Sequence, residues 1–306
     1  MIAVAAFVQV AGGLALAPAL PGVIQTVKAR LQGRRGASPL QPYRDLRRLW
    51  GKTLVDPVGT TIVYRLAPCI VAAALAVGVL LLPIGGLAPG WPLGNDALVV
   101  VGLLALARFA IAATSWDTGS GFALMGASRD LTLAVFTEGL LLLAFVLAAL
   151  PAGSTDLVAM SDAANGSAVW REPGHWCAAA AFAVAMLVET GRQPIDNPDT
   201  HLELTMVHEG PLLEYAGRDL ALLEWGAAAR HWIVLVLGAE LFMPHWGGFW
   251  SRVAILAGSL LVLCVALAIT ETAQAKMRLL RVPALIGTAS LIALVGLGSW
   301  IAGGGA

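Results

Sequence analysis

Long runs of apolar residues, separated by shorter polar segments, repeat along almost the whole chain. About 20 apolar residues, each rising about 1.5 Å along a helix, cross the hydrocarbon core of a bilayer. The runs therefore predict membrane-spanning helices, and alternating ten-residue strands typical of membrane barrels are absent from the sequence. Eight spans are predicted, at residues 2–24, 62–83, 97–115, 131–150, 174–190, 221–243, 251–271 and 283–301.

The predicted fold class is all-α: a polytopic membrane protein with about eight transmembrane helices in one integral membrane domain, residues 1–306. The first span is predicted to remain uncleaved, because no basic region precedes it as in a signal peptide. The predicted loops are 25–61, 84–96, 116–130, 151–173, 191–220, 244–250 and 272–282.

Basic residues concentrate in alternate loops. The first, third, fifth and seventh loops hold 14 Lys and Arg residues, whereas the other loops and ends hold only Arg171 and Arg252. Because cytoplasmic loops carry an excess of Lys and Arg, the odd-numbered loops are predicted to be cytoplasmic and both termini periplasmic. The two long cytoplasmic loops are then 25–61 and 191–220.

Loop 25–61 interleaves apolar and basic side chains at helical spacing. Its apolar positions fit one helical face, so a short interfacial helix is predicted, either as a plain membrane-surface anchor or with a further role. The apolar positions are Tyr43, Leu46, Leu49, Trp50 and Leu54, and the basic ones are Arg44, Arg47, Arg48 and Lys52.

The composition agrees with a membrane protein and excludes several functions. Hydrophobic residues make up 58% of the chain and charged residues 12%, and 19 basic residues balance 19 acidic ones. This argues against an ordinary soluble enzyme and against a nucleic-acid binder with excess positive charge. The three cysteines, Cys69, Cys177 and Cys264, form no C-x-x-C pair, and His208-Glu209 lacks the second histidine of H-E-x-x-H. No catalytic residue, metal ligand or cofactor is therefore assigned to this chain.

The segment 189–224 carries eight of the 19 acidic residues. Any single one is consistent with a solvated surface. Glu189 and Glu224, however, lie at the ends of predicted spans, where an unpaired charge costs a few kcal/mol, so they are expected to pair or to conduct protons. The eight are Glu189, Asp196, Asp199, Glu203, Glu209, Glu214, Asp219 and Glu224, beside Arg192 and Arg218.

Glu138 is predicted inside the fourth span, at a depth similar to that of Arg108 in the third. Two interpretations remain open: a buried ion pair with a structural role, or a protonatable site in a hydrated path. Arg230 and His231 are placed to extend such a path, since imidazole titrates near neutral pH. Glu240, near the other end of the sixth span, is a candidate exit.

Two strings of the sequence resemble a known family. They are Glu189-Thr-Gly-Arg-Gln-Pro-Ile-Asp-Asn-Pro-Asp-Thr-His-Leu-Glu-Leu-Thr-Met-Val-His-Glu209 with Leu213-Glu-Tyr-Ala-Gly-Arg-Asp-Leu220, and the stretch from Lys28 to Tyr43. They resemble the respiratory complex I subunit 1 family, most closely its branch in membrane-bound group 4 nickel–iron hydrogenases, of the formate hydrogenlyase subunit 4 or hydrogenase-4 component C type. The length and the eight-span outline agree.

The resemblance implies a non-catalytic, ion-coupling anchor in a prokaryotic inner membrane. It implies partners on the cytoplasmic side that resemble hydrogenase large and iron–sulfur small subunits, with [4Fe-4S] clusters and a NiFe centre in those partners, and antiporter-like membrane subunits beside the chain. The proton- or ion-coupling residues that the resemblance implies are Glu138, Glu189, Asp196, Asp199, Glu203, Glu209 and Glu214, with Arg192 and Arg218 as counter-charges. Their positions in the predicted spans add Glu224 and His231 to the coupling residues, and Arg108 and Arg230 to the counter-charges.

One departure from the family pattern bears on quinone. Complex I relatives have a core like Phe-Asp-Leu-Pro-Glu-Ala-Glu where this chain has Ile195-Asp-Asn-Pro-Asp-Thr-His201, which favours the hydrogenase branch. A quinone-binding complex I subunit stays the alternative. A stand-alone secondary transporter is a remote alternative, since no internal repeat is evident.

The charges of loop 25–61 and segment 189–224 are opposite, so these regions are predicted to face each other or a partner.

Overall fold

A computed structural model describes residues 11–86, 94–196 and 207–303. Helices dominate these ranges, and no strand occurs within them, which confirms the predicted all-α class. The helices are α1 (Ala19–Leu31), α2 (Gln41–Trp50), α3 (Ile62–Leu80), α4 (Ala97–Thr118), α5 (Gly121–Ala149), α6 (Leu157–Ala164), α7 (Pro173–Glu189), α8 (Gly217–Phe242), α9 (Phe249–Ala273) and α10 (Val282–Ala302).

Six apolar helices among the described residues are long enough to cross a membrane: α3, α4, α5, α8, α9, and α10 with the 3₁₀ turn before it. Helix α7 is apolar but shorter, at 17 residues. Of the first predicted span, residues 11–16 are helical, and a turn at Ala17 and Pro18 precedes α1, which continues to Leu31. The protein is a multi-pass membrane protein, and the count of eight spans stays a prediction.

The predicted loop 116–130 is wrong. Helix α4 ends at Thr118 and α5 begins at Gly121, so only two residues separate them. Gly119 adopts a left-handed conformation with φ of 64°, which a glycine accepts without steric cost and which stops α4. Charges at Arg129 and Asp130 lower the hydropathy of the first turns of α5 without preventing a helix.

Three further predicted loops contain helices. Residues 25–31 belong to α1, and residues 157–164, inside the predicted loop 151–173, form α6. The side chain of Asp156 caps α6 by accepting from the backbone N–H groups of Val158 and Ala159. Residues 217–220, assigned to the predicted loop 191–220, form the first turn of α8. The predicted short helix in loop 25–61 is confirmed as α2.

Helix α8 is the central element of the helical assembly. It packs against α1, α2, α3, α6, α7 and α9, and its middle residues are buried on every side. Helices α3, α4 and α5 follow one another side by side, while α9 packs against α1 and α8 and α10 packs against α5 and α7. This arrangement brings the middle of α4, α5 and α8 and the ends of α7 and α9 around one polar region.

Candidate functional site

A cavity of about 660 Å³ lies between α1, α2, α8 and the segment that follows α7. Its wall combines apolar side chains from α2 and α3 with an unusual number of ionisable groups for a membrane protein. The ionisable lining comprises Asp45, Arg48, Arg108, Asp130, Glu189, Arg192, Asp196, His208, Glu209, Glu224, Arg230 and His231. Residues of loop 25–61 and of segment 189–224 thus line the same cavity, in agreement with the prediction that these regions face each other or a partner.

Arg108 of α4 is the centre of the buried network beside this cavity. Its Nη2 lies 2.9 Å from Glu189 Oε2, its Nη1 lies 3.2 Å from Glu138 Oε1, and its Nε lies 3.6 Å from Asp130 Oδ2. The Arg108 side chain is only 3% exposed and that of Glu189 is fully buried. A single guanidinium therefore holds carboxylates from the middle of α5, the start of α5 and the end of α7.

Arg230 of α8 completes this group by placing its Nη1 3.3 Å from Glu189 Oε2. The group then has three carboxylates, of Asp130, Glu138 and Glu189, and two guanidiniums. Charges removed from water are tolerated only when they are paired and hydrogen-bonded. The one surplus carboxylate means that a single bound proton makes the group electrically neutral.

Glu138 differs from the other members in its exposure. Its side chain is 30% exposed, whereas Arg108 and Glu189 are almost completely enclosed. Neighbouring residues Val135, Phe136 and Gly139 are exposed as well. Glu138 is therefore the point at which the buried group reaches the outer surface of α5.

A second group joins α1, α8 and α9 to the segment after α7. Arg192 donates from Nε to His231 Nε2 at 3.0 Å and from Nη1 to Glu271 Oε1 at 3.0 Å. The other oxygen of Glu271 lies 3.1 Å from Lys28 Nζ. Since Nε2 of His231 accepts from Arg192, its Nδ1 carries the proton and donates to the Ala227 carbonyl at 2.9 Å.

The segment after α7 supplies a third set of contacts. Asp196 Oδ2 accepts from the backbone N–H groups of Val207 and His208, and Oδ1 lies 3.2 Å from Lys276 Nζ. The imidazole of His208 has Nδ1 3.5 Å from Asp196 Oδ2 and Nε2 3.5 Å from Asp130 Oδ1. These contacts connect Asp196 to the Arg108 group through His208.

Two tyrosines hold this segment against α3. The rings of Tyr64 and Tyr215 stack with centroids 4.3 Å apart, and the Tyr64 hydroxyl donates to the Glu214 carbonyl. The Tyr215 hydroxyl donates to the Tyr64 carbonyl at 3.0 Å. Burial raises the pKa of the Tyr215 phenol, so it remains a hydrogen-bond donor.

The predicted site residues fall into four sets. The largest lines the cavity: Glu189, Asp196, Glu209, Glu224 and His231, with Arg108, Arg192 and Arg230. Glu138 lies outside the lining but pairs with Arg108. Glu214 and Arg218 are absent from the lining and form no ion pair within the described ranges, while Asp199 and Glu203 lie outside the described residues.

Five residues of the network were not predicted from the sequence: Lys28, Asp130, His208, Glu271 and Lys276. Asp130 falls in a predicted loop, although it precedes Glu138 by eight residues and shares one side of α5 with it. Glu271 ends the seventh predicted span just as Glu189 ends the fifth, and that signal could have identified it. Lys28 and Lys276 pair with carboxylates across the fold, which sequence spacing does not reveal.

Glu240 belongs to a different cluster at the far end of α8. Ser161 donates to Glu240 Oε2 at 2.8 Å and lies 2.8 Å from His245 Nε2. Between this cluster and Arg230, residues Ile233–Leu237 of α8 are at most 1% exposed. An apolar layer of α8 therefore lies between Glu240 and Arg230, and along this helix the predicted exit at Glu240 has no polar connection to the cavity.

The described residues contain no group of three or more His, Cys, Asp or Glu side chains that is arranged to hold a metal ion. Cys69 is exposed on α3, Cys264 is buried in α9, and Cys177 lies on α7. The ionisable groups of the cavity wall are carboxylates, guanidiniums and imidazoles, of which the carboxylates and imidazoles can bind and transfer protons.

Comparisons with known proteins extend along nearly the whole chain. Residues 3–298 match the family model described as NADH dehydrogenase. The chain is 33% identical to formate hydrogenlyase subunit 4 of Escherichia coli (strain K12) over 87% of this chain and 88% of the relative. It is 35% identical to hydrogenase-4 component C of the same organism, over 81% of this chain and 78% of the relative.

More distant relatives include an NADH-quinone oxidoreductase subunit of Anaplasma phagocytophilum (strain HZ), which is 28% identical over 72% of this chain and 69% of the relative. Among solved structures, a chain of the membrane-bound sulfane sulfur reductase, an archaeal respiratory membrane complex, superimposes with a TM-score of 0.84. That similarity covers 96% of this chain and 98% of the other at 18% identity, and it establishes the common fold.

Proposed function

The chain belongs to the NADH dehydrogenase family, and from that premise we propose that it is the membrane-anchoring, ion-coupling subunit of a group 4 nickel–iron hydrogenase-like complex. The hydrogenase relatives support this branch, since they are 33% and 35% identical, against 28% for the NADH-quinone oxidoreductase relative. The chain is thus a non-catalytic subunit that connects a redox arm to ion-translocating membrane subunits.

One observation carries the coupling role: a buried ionic network runs from the cavity wall to the surface of α5. Arg108 joins Glu189, which lines the cavity, to the partly exposed Glu138. A proton that reaches the cavity and neutralises the surplus carboxylate alters the electric field at Glu138. A neighbouring membrane subunit in contact with α5 then responds to the changed charge at Glu138. The role of Arg108, Arg192 and Arg230 is to keep the carboxylates close in an apolar surrounding.

This arrangement and the hydrogenase relatives support the following partners. Hydrogenase large-subunit-like and iron–sulfur small-subunit-like proteins cover the cavity side, and they carry the [4Fe-4S] clusters and the NiFe centre. Antiporter-like membrane subunits flank α5. The concentration of Lys and Arg in the odd-numbered predicted loops supports a cytoplasmic position for that side and a periplasmic one for both termini, in a prokaryotic inner membrane.

The test uses Glu138→Gln in the complete complex, reconstituted in proteoliposomes. Hydrogen turnover and proton translocation are measured together, and we expect translocation per hydrogen to fall while turnover is retained. Glu209→Gln, on the cavity wall, is measured in parallel. Glu172→Gln is the matched control, because Glu172 lies at the end of α7 opposite to Glu189. Unchanged coupling in both Glu138→Gln and Glu209→Gln overturns the proposed role.

A quinone-binding subunit is the second candidate, and the cavity favours it. Its volume of about 660 Å³ lies within the range of small-molecule sites, and Leu46, Leu49 and Leu75 contribute apolar wall. If the complex uses quinone, quinone co-purifies with it and a quinone-site inhibitor blocks its turnover. The absence of both effects leaves the hydrogenase-like role.

A further inference from the structure

His208 lies where two parts of the ionic network meet. Its Nδ1 is 3.5 Å from Asp196 and its Nε2 is 3.5 Å from Asp130, on opposite sides of the ring. Asp196 contacts Lys276, and Asp130 contacts Arg108. The imidazole thus touches both carboxylates and stands between the two parts.

The backbone around His208 is shaped to receive its ring. Gly191 follows α7 with φ of 59°, and a Cβ placed there would lie 2.8 Å from His208 Nδ1 and 3.1 Å from its Cγ. A side chain at position 191 would therefore displace the imidazole from between the carboxylates. On the other side the His208 ring is 29% exposed towards the cavity that it lines, so water and small solutes reach it.

The imidazole of His208 lies close to both carboxylates, but its Nε2 does not form a hydrogen bond with good geometry. Nε2 is enclosed and has no hydrogen-bond partner of good geometry among the described residues, although Asp130 Oδ1 is 3.5 Å away. A structural histidine in a buried site normally satisfies both nitrogens. A proton carrier needs instead a donor and an acceptor that each come within reach after a small movement.

We propose that His208 carries protons between Asp196 and Asp130, and so between the loop after α7 and the Arg108 group. This inference rests on the proposed coupling function and adds a residue to it. In the transfer, the O–H bond of protonated Asp196 breaks as an N–H bond forms at Nδ1. The N–H bond at Nε2 then breaks as Asp130 gains the proton, and the neutral imidazole returns as the other tautomer.

The chemistry of imidazole explains why a histidine occupies this place. It has two nitrogens, so it accepts a proton at one edge and releases a proton at the other without changing its net charge. The ionisable groups that face it are Asp130 from α5 and Asp196 from the loop after α7, with Glu189 and His231 farther away but within electrostatic range. Neither a glutamine nor an arginine at this position transfers a proton in this way.

The test is His208→Ala in the complete complex, assayed for proton translocation with and without added imidazole. The variant opens a space beside a cavity that is already accessible, so free imidazole enters it. We expect translocation to fall by about tenfold or more and to recover in imidazole buffer. His208→Gln is the matched control, because it fills the space with two hydrogen-bonding groups and is expected to show the loss without the recovery.

The outcomes separate a proton carrier from a structural residue. Recovery of His208→Ala by imidazole supports the inference, and Glu138→Gln must not recover under the same conditions. Normal proton translocation in His208→Ala overturns the inference. So does a loss of translocation in His208→Ala that is absent from His208→Gln and that imidazole does not restore. If the His208→Ala complex fails to assemble, Gly191→Ala is used instead, because its added Cβ displaces the His208 ring. Unchanged proton translocation in Gly191→Ala also overturns the inference.

The same experiments distinguish this inference from the proposed function. If Glu138→Gln uncouples the complex while His208→Ala does not, the coupling role stands and His208 is not its carrier. If neither Glu138→Gln nor Glu209→Gln uncouples it, the coupling role itself fails.

Discussion

Glu189→Gln is expected to destabilise the fold because it leaves a buried guanidinium unpaired. Arg108 retains Asp130 and Glu138, but Arg230 loses Glu189, which is its only ion-pair partner among the described residues. Breaking a buried pair from one side costs about 3–5 kcal/mol. We therefore expect about that loss in the free energy of unfolding.

The double variant Glu189→Gln/Arg230→Gln tests the reason for that loss. It removes both partners, so no buried charge is left uncompensated and most of the stability returns. Unfolding free energies of the single and double variants in detergent give the coupling between the two residues. Glu172→Gln is the control, with a change of about 0.5 kcal/mol or less, since no ion pair of Glu172 is found in the described ranges.

Two results would refute the reasoning. The first is a change below about 1 kcal/mol for Glu189→Gln, which means that water or another group solvates Arg230. The second is a double variant whose loss equals the sum of the single losses, because additivity excludes a direct interaction.

Three smaller predictions concern other contacts, each measured as a change in the free energy of unfolding in detergent. Arg192→Gln should cost about 1–3 kcal/mol, less than Glu189→Gln, because Glu271 keeps its ion pair with Lys28. A loss above that range contradicts the expected ranking of the two variants. Ser161→Ala should also cost about 1–3 kcal/mol by removing a donor from buried Glu240, whereas a neutral result means that water replaces the hydroxyl. Phe182→Ala should cost about 3–5 kcal/mol by opening a cavity in the core, and Phe182→Leu less, so equal losses would contradict the packing argument.

The apolar pattern predicted the helices well wherever the bilayer alone sets their length. The predicted spans 62–83 and 283–301 differ by a few residues from Ile62–Leu80 and Val282–Ala302. The start of α5 was missed because hydropathy drops where Asp130 pairs with Arg108, a contact between two helices. Hydropathy measures the preference of a residue for an apolar surrounding over water, and it fails where a charge is paired inside the protein.

The candidate site was predicted in part. The ion pair of Arg108 with Glu138 is present, as their matched depth in neighbouring helices indicated, and Glu189 is buried with counter-charges. The contacts of Glu271 with Lys28 and Arg192 depend on how α9 packs beside α1. No spacing in the sequence encodes that packing, so this half of the network required the structure.

The apolar layer at Ile233–Leu237 has an electrical consequence. It lies between Arg230 and Glu240, which are roughly 15 Å apart along α8, and a bare ion in an apolar medium is strongly disfavoured. We therefore expect most of a transmembrane voltage to drop across this layer. The cavity charges should then lie near the potential of a single compartment, so their proton occupancy should respond to the pH of that compartment and only weakly to voltage.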